Sequence, residues 1–322
     1  MGFEFKVYVN NGREFFAWQS DTMLTMTTQK QRKYFELSQT LLDFLDLGTD
    51  DDFFAITELV GKEIQKLYNP DEAHNIAFLR DSFDIMAQRH IFFELLRLDW
   101  YERLEKFSNG EYKKPRDKMY YKEITHIPMN IRTWQNEIRN IISKALDVLS
   151  SEKSIQQKMA SLYERQVIHE TFTFEPLCTK FERVDGQTFT EVLRPQSMRD
   201  IIDFLLRAAI RQELTFKTCR SCGRYFPNTV HGNSEYCDRI FQGTDKTCKE
   251  IGSVKVYQAK MEEQPEYRVY NRAYKSHFAR IKYKRMTKEA FKAWAEQARE
   301  MRDMVTREEM DLDKYEMWLK NS

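Results

Sequence analysis

Residues 219–248 read CRSCGRYFPNTVHGNSEYCDRIFQGTDKTC and contain four of the five cysteines of the chain. These four, Cys219, Cys222, Cys237 and Cys248, follow the spacing C-x2-C-x14-C-x10-C. A C-x2-C pair forms a tight knuckle that places two thiolates on one metal ion, and two later cysteines complete a tetrahedral set. The spacing therefore predicts a structural site for one Zn²⁺ ion bound by four thiolates.

The residues around the cysteines agree with this prediction. Gly223 directly follows the second cysteine, where a knuckle turn often requires a positive φ, and Tyr225 then begins an outgoing strand. Cys248 precedes a helix-compatible run, KEIGSVKVYQAKMEE, whose N-terminus would favour the thiolate form. A knuckle, a short hairpin and a helix predict a treble-clef-like or ribbon-like finger. His231 could replace one thiolate, but a solvated loop histidine is the favoured interpretation.

Disulfide bonds and four unrelated free thiols are the alternatives to zinc. The first residues, MGFEF, lack the basic and apolar regions of a secretory signal, so we expect a reducing cytoplasmic setting, which disfavours disulfides. No apolar run approaches the length needed to cross a bilayer. The fifth cysteine, Cys178, is expected to be a small buried apolar residue.

Several segments resemble a known but uncharacterised family. CRSCGRYF, YCDR, TCKEIG, YNRAYKSHFARIK and MTKEAFKAWAEQAR, between about residues 197 and 305, are similar to proteins from firmicute genomes and their mobile elements. That family has a CGRYF-type cysteine finger and a basic helical tail. The chain resembles more loosely the CGNR-type zinc fingers of bacterial regulators, with TCKE in place of their signature. The resemblance implies DNA binding in a regulatory or mobile-element setting.

The composition predicts a folded, helix-rich protein with strongly uneven charge. Hydrophobic residues make up 41% of the 322 residues, with 10 glycines and 7 prolines. The net charge of +1 hides two opposite regions. Residues 42–84 contain eleven acidic and three basic side chains, a balance of −8, whereas residues 268–292 contain nine basic and one acidic, a balance of +8. A polyanion would meet the C-terminal part first.

The pattern along the chain predicts mainly α structure with small β-hairpins. One hairpin is expected around Asn10-Asn11-Gly12 and another around Asp185-Gly186. Helical periodicity begins near residue 28 and includes long helices over about residues 71–107 and 129–165. Ser197, with Asp200 three residues on, should cap a helix that leads to the finger. We therefore expect an N-terminal helical bundle (1–169), a hairpin, docking helix and finger (170–260), and a basic, aromatic helical tail (261–322).

The N-terminal half shows no cofactor fingerprint or catalytic constellation. His90 precedes an apolar run and is expected to be a structural histidine. The run Asp50-Asp51-Asp52 could hold a divalent cation, but the start of a solvated helix is favoured. Phe92, Phe93, Trp100 and Tyr101 should belong to the core.

The segment from residue 267 to 281 predicts an amphipathic helix. At 100° per residue, Tyr267, Tyr270, Tyr274, Phe278 and Ile281 fall within an arc of about 80°. The opposite face is either merely solvated or a surface that contacts phosphates. The nucleic-acid-binding candidates in the finger and this helix are Arg220, Arg224, Arg239, Lys249, Arg268, Arg272, Lys275, Lys282, Lys284 and Arg285.

These observations leave three classes of function. The leading one is a zinc-finger protein that binds nucleic acid, most simply DNA, through backbone phosphates. The second is a protein–protein adaptor with a structural zinc, in which the opposite charges could also support self-association. The third is a nuclease that uses N-terminal carboxylates; it is disfavoured, because no acid pair with a lysine stands out and a closed four-cysteine site leaves no open coordination position.

Overall fold

The chain begins with the hairpin that the alternating pattern predicts. The structure is a computed structural model that describes residues 2–22, 27–147, 153–164, 170–228, 234–254 and 264–322. Strand β1 (Phe3–Asn10) pairs antiparallel with β2 (Arg13–Thr22). Asn11 and Gly12 have φ values of +48° and +72°. Two consecutive left-handed residues are what a two-residue turn between antiparallel strands requires, so this turn fixes the register of the hairpin.

The predicted helix near residue 28 is wrong, because this segment forms a third strand. Strand β3 (Thr27–Glu36) pairs with β2 along its length, and helix α1 (Gln39–Leu45) begins only after it. The strand is rich in lysine, arginine and glutamine, so it lacks the apolar alternation that marks a strand in sequence. Contacts with strand β2 stabilise it. For example, the Arg32 guanidinium lies 4.5 Å from the centre of the Phe15 ring of β2.

The second predicted hairpin completes a five-stranded antiparallel sheet. Strands β4 (Thr179–Arg183) and β5 (Phe189–Leu193) flank the Asp185-Gly186 turn. The strand order is β3-β2-β1-β5-β4, with β5 paired to β1. Strands from before and after residue 170 therefore belong to one sheet. The domain boundary expected near residue 170 stays a prediction. Cys178, expected to be buried, is exposed just before β4, because the strand begins later than the apolar pattern indicated.

Helices cover the buried face of this sheet. Trp100, Phe83, Phe92 and Phe93 are almost fully buried in the same core as Trp18 of β2. Asp50 accepts a hydrogen bond from the Phe53 N–H at 2.9 Å, which makes it the N-cap of α2. The further helices of this part are α2 (Asp51–Lys66), α3 (Ile76–Arg89), α4 (Phe93–Ser108), the 3₁₀ turn Pro115–Asp117, α5 (Lys122–Thr125), α6 (Ile127–Ala145), α7 (Ile155–Glu164) and α8 (Met198–Arg211).

Two long predicted helices are each divided into two shorter ones. The first is interrupted at His90, which has extended backbone angles between α3 and α4. The buried imidazole accepts a hydrogen bond from the Phe92 N–H at Nδ1 and donates from Nε2 to the Thr40 carbonyl, at 3.2 and 3.1 Å. Burial lowers the pKa of His90 to about 4. This residue is thus a structural histidine, as predicted. The second helix is divided into α6 and α7.

The chain divides into two compact units. Unit 1 consists of Met1–Thr218 and Arg224–Gly232, and unit 2 of Cys219–Gly223 and Asn233–Ser322. The Ser197 and Asp200 side chains form the predicted capping box of α8, which leads to a small antiparallel pair in unit 1, β6 (Phe216–Thr218) and β7 (Tyr225–Pro227).

Unit 2 contains the finger and three tail helices with a core of their own. Residues 248–254 are helical and are called α9. Helices α10 (Pro265–Lys282), α11 (Lys288–Thr306) and α12 (Leu312–Asn321) follow. Thr287 caps α11, since its hydroxyl accepts a hydrogen bond from the Ala290 N–H, and the fully buried Tyr315 brings α12 into a core with Tyr270 and Trp294. The fold is thus mainly helical with a small antiparallel sheet. Among the described helices, none combines the length and apolar character that crossing a membrane requires.

Candidate metal centre and basic helix

The four predicted cysteine ligands lie together in unit 2. Their sulfur atoms all fall within 4.8 Å of one another, and the Sγ atoms of Cys222 and Cys237 are 3.7 Å apart. Zn–S bonds of about 2.3 Å in a tetrahedron would place the sulfurs about 3.8 Å apart, whereas a disulfide would need about 2 Å. All four are free thiols. The cluster could therefore hold a metal ion of tetrahedral preference.

The first two cysteines lie on a tight knuckle. Gly223 has a φ of +72°, the left-handed conformation that the sequence predicts at this position. Its N–H donates to the Cys219 carbonyl at 2.8 Å, and the Cys237 N–H donates to the Cys219 sulfur at 3.4 Å. The first bond closes the turn, and the second directs a backbone donor at a sulfur that would carry negative charge in a metal complex.

The last two cysteines are brought together by a segment that folds back on itself. The Cys248 N–H donates to the Arg239 carbonyl at 2.8 Å, and the Lys249 N–H donates to the Cys237 carbonyl at 3.1 Å. Ile240 and Thr247 form an antiparallel bridge between these contacts. The ten residues between Cys237 and Cys248 therefore form a short bridged loop that places both sulfurs at one point.

A capping box that the sequence analysis missed places Cys248 at the start of α9. The Glu250 carboxylate accepts a hydrogen bond from the Thr247 N–H at 2.7 Å, and the Thr247 hydroxyl accepts one from the Glu250 N–H at 3.2 Å. The signature is visible in the sequence as Thr247-x-x-Glu250. It confirms that the last cysteine lies at a helix N-terminus, where the helix dipole favours a thiolate.

Helix α9 also packs closely on the residue before the third cysteine. A Cβ atom added at Gly252 would lie about 2.5 Å from ring atoms of Tyr236. The Tyr236 ring therefore occupies the space that a larger side chain at position 252 would need. Tyr236 precedes Cys237, so this contact connects the segments that carry two of the four sulfurs.

The thiol pKa values differ within the cluster. Burial raises the pKa of Cys219, but hydrogen bonds from the backbone N–H groups of Cys237, Cys222 and Ser221 outweigh it and lower the pKa to about 7. Burial raises the pKa of Cys237 and, more strongly, that of Cys248. One thiolate is thus available near neutral pH, and a bound cation would stabilise the others with release of protons.

The basic candidates in the finger have acidic or other partners. Arg220 lies 2.8 Å from Glu235, and Lys249 lies 3.8 Å from Asp238. Arg224 belongs to unit 1, where it lies 3.6 Å from Asp46. Arg239 is half-buried and also has a partner. The charges of Arg220, Lys249 and Arg224 are therefore partly neutralised by carboxylates within the protein.

The basic candidates on α10 differ, since all of them are exposed. Arg268, Arg272, Lys275 and Lys282 lie on the solvent face of the helix, and none has an acidic partner within the described parts of the chain. The single acid of α10, Glu266, is buried and accepts a hydrogen bond from Thr306. Lys284 and Arg285 are also exposed, in the turn that follows the helix.

The aromatic face of α10 is core, with one exception. Tyr270 is buried, and Tyr274 and Ile281 pack against the same cluster. Phe278, predicted to share this face, is 58% exposed. It lies at the edge of the aromatic arc, so the packing of α11 against the centre of the arc leaves most of its ring in solvent.

His277 is the buried anchor of α10 and was not among the residues predicted from the sequence. Its ring stacks on Trp294 with ring centres 3.8 Å apart. Its two nitrogens lie 2.9 Å from the Ala273 carbonyl and 3.0 Å from the Ser322 carbonyl. A signal was present, because His277 falls next to Tyr270 on a helical wheel. The residue holds α10 against α11 and the end of α12.

Comparison with known proteins gives one match. Residues 177–321 match the model of a family of unknown function (DUF6076). The matched region begins just before β4 and contains the four cysteines together with α10, α11 and α12. No curated protein and no solved structure matched the chain. The metal centre and the basic helix thus fall within one family region.

Proposed function

We propose that this protein binds nucleic acid through the exposed face of α10 and the turn that follows it. The observation that carries the proposal is the row of exposed cations without acidic partners among the described residues. Arg268, Arg272, Lys275 and Lys282 occupy positions i, i+4, i+7 and i+14 of one helix, a span of about 21 Å. A row of this length can contact several backbone phosphates at once.

The difference between α10 and the finger supports this assignment. A cation that is already paired must give up its carboxylate before it contacts a phosphate, so Arg220 and Lys249 would contribute little net free energy. The α10 cations have no such competitor in the described structure, and each can release a condensed counterion from the nucleic acid. The finger then serves mainly as a support.

A cavity in unit 2 continues the basic face. It has a volume of about 240 Å³ between α10 and α12, and it is lined by Arg272, Arg280 and Lys320 together with Ser276 and Glu316. Lys320 is paired with Glu316 at 3.5 Å and Arg280 donates to the Ser322 carbonyl at 3.1 Å, so Arg272 is the lining cation without such a partner among the described residues. Arg272 and Ser276 can donate hydrogen bonds to a phosphate oxygen in this recess, so a backbone phosphate held here would fix the position of the strand along α10.

We further propose that the four cysteines bind one Zn²⁺ ion with a structural role. Soft thiolate ligands in a tetrahedral set favour zinc, and four protein ligands leave no open position for substrate. The residues that would hold the ion are Cys219, Cys222, Cys237 and Cys248. The ion would supply the fold of the finger, which lacks a sizeable apolar core of its own among the described residues.

The test is binding measured by fluorescence anisotropy with labelled duplex DNA, single-stranded DNA and RNA over a salt series. We expect the logarithm of affinity to fall linearly with the logarithm of salt concentration. In Arg272→Glu/Lys275→Glu, binding should weaken by at least about tenfold, and the salt slope should decrease by about two, one for each lost phosphate contact.

The matched control is Lys113→Glu/Lys114→Glu. Both lysines are exposed in unit 1, and the double substitution changes the net charge by the same amount. It should leave binding close to that of the wild type. An absence of binding to all three polymers at low salt would overturn the proposal, and a protein-partner search would then test the adaptor function.

A further inference from the structure

Two aromatic side chains near the end of α10 lie in solvent instead of in the core. Phe278 is 58% exposed and Tyr283 is 69% exposed. The other aromatics of the same three helices are less exposed: Tyr270, Phe291, Trp294 and Tyr315 are each 8% exposed or less, and Tyr267, Tyr274 and Trp318 are half-buried. The exposed pair is therefore a local feature of this end of the helix.

Both residues have an ordered backbone, and the Phe278 ring is also supported. The Phe278 ring meets the Phe291 ring at 66°, with ring centres 5.7 Å apart, so one edge is supported and a face remains open. Tyr283 is the C-cap of α10, and its N–H donates to the Ala279 carbonyl at 3.3 Å. Within the described residues, its ring stacks on no other ring. The Phe278 ring can thus stack on an incoming group with little loss of conformational freedom, and the Tyr283 ring is exposed to the same group.

Cations surround the two rings. Lys275 and Lys282 lie one turn before and one turn after Phe278 on the same exposed side. Lys284 and Arg285 directly follow Tyr283 and are exposed. The turn is well defined, because Lys284 adopts a left-handed φ of +56° and the Arg285 N–H donates to the Arg280 carbonyl at 2.8 Å. Rings and charges thus alternate in sequence over residues 275–285, the edge of unit 2 formed by the end of α10 and the turn that follows it.

We propose that this edge binds a single strand of nucleic acid, with bases stacked on Phe278 and Tyr283 and phosphates on the neighbouring cations. The inference rests on the proposed function and names its ligand class. Exposed aromatics between basic residues match unpaired strands, because every unpaired base offers a π face to a ring. The bases of an intact duplex are stacked on one another, so a duplex would use the cations alone.

The experiment compares Phe278→Leu/Tyr283→Leu with the wild type on a labelled 20-nucleotide oligo(dT) and on a duplex of the same length. Leucine keeps the apolar contact with Phe291 but removes the flat ring. We expect the double variant to lose about tenfold or more in affinity for oligo(dT), and to bind the duplex as the wild type does. Tyr283→Leu alone should give part of the loss. Among the described residues this ring belongs to neither apolar core, so a folding defect would not explain the lost affinity.

The control is Tyr120→Leu, an exposed tyrosine of unit 1, which should leave both affinities unchanged. Undiminished binding of oligo(dT) by the double variant, or an equal loss for strand and duplex, would overturn the stacking proposal while the basic-face function stands. A wild-type protein that binds neither polymer would instead remove the proposed function and this inference together.

Discussion

At the scale of single residues, the metal centre makes the most direct prediction. Cys222→Ser replaces one of four sulfurs within 4.8 Å of one another and leaves a hydroxyl that binds zinc poorly. We expect the variant to lose bound zinc and the folded structure of the finger, because binding free energy is also folding free energy in such sites. Elemental analysis and thermal unfolding would measure both.

The chain provides its own control for this substitution. Cys178 is an exposed free thiol outside the cluster, so Cys178→Ser should keep both the metal content and the unfolding temperature. A Cys222→Ser protein that retains one zinc per chain and an unchanged unfolding temperature would contradict the structural role of the site.

His90 predicts a pH dependence of stability. Its pKa lies at about 4 in the folded protein, against 6.5 for an ordinary histidine, so below pH 6.5 the unfolded chain binds a proton that the folded chain does not. Stability should therefore fall as pH decreases from 6.5 to 4, by at most roughly 3 kcal/mol from this residue. Urea unfolding of the wild type and His90→Gln at pH 7 and pH 5 would measure it.

The comparison between the two proteins isolates the histidine, since other groups titrate alike in both. We expect the stability difference between wild type and variant to narrow at pH 5, because glutamine gains no proton. The same difference at both pH values would show that the imidazole is not held neutral by burial.

Residue types with strict chemical requirements were the ones that the sequence could predict. The cysteine spacing, the left-handed Gly223 and the structural His90 each follow from local chemistry. The exposure of Cys178 and Phe278 and the burial of His277 depend on which neighbour packs against them. That information lies in the tertiary contacts of α11, α12 and the sheet, which the local pattern does not contain.

At the scale of elements, turn and cap chemistry predicted boundaries better than periodicity did. The Asn-Gly and Asp-Gly turns and the Ser197 cap are at the predicted positions. Strand β3 was missed because pairing with β2 stabilises a polar edge strand that has no apolar alternation. The division at His90 was missed because the apolar residues continue through it.

Helix α9 allows a prediction about how the finger is assembled. In Gly252→Ala the new methyl group would lie about 2.5 Å from the Tyr236 ring, so the helix or the ring must move. We expect a loss of about 1–3 kcal/mol in the stability of the finger, despite the better helix propensity of alanine. A competition assay with a chromophoric chelator would detect it as weaker zinc retention.

A second substitution tests the cause. Gly252→Ala/Tyr236→Leu removes part of the obstructing ring and should recover some of the lost zinc affinity relative to Gly252→Ala alone. Ser253→Ala, one residue further along α9 and exposed, should have little effect. Equal zinc retention in Gly252→Ala and the wild type would show that the ring yields at no cost.

At the scale of the whole molecule, the net charge of +1 is the sum of two oppositely charged regions that lie in different units. The acidic segment 42–84 lies in unit 1, whereas the basic segment 268–292 lies in unit 2. The sequence alone predicted this asymmetry, because the charge of a segment follows from its residue types and does not depend on the fold. It could not predict that the finger cations would be paired and the α10 cations left exposed, since ion pairs form between residues that the fold brings together.

Because the four cysteines lie in unit 2, we expect metal loss to destabilise the finger and to leave unit 1 folded. Unit 1 has its own large apolar core under the sheet, and none of the four cysteine ligands belongs to it. A chelator at neutral pH should therefore increase hydrogen exchange in peptides that cover residues 219–223 and 234–254, because in the proposed role of the site the finger depends on the ion. Peptides from β1 and α6 should keep their protection, since their amides are held by the apolar core of unit 1, which contains none of the four cysteine ligands.

Hydrogen exchange with mass spectrometry, with and without chelator, measures both regions in one sample. Zinc added back should restore the protection of the finger peptides. Exchange that rises equally in β1 and α6 would mean that the ion stabilises the whole chain, and the role assigned to the site would then have to include unit 1.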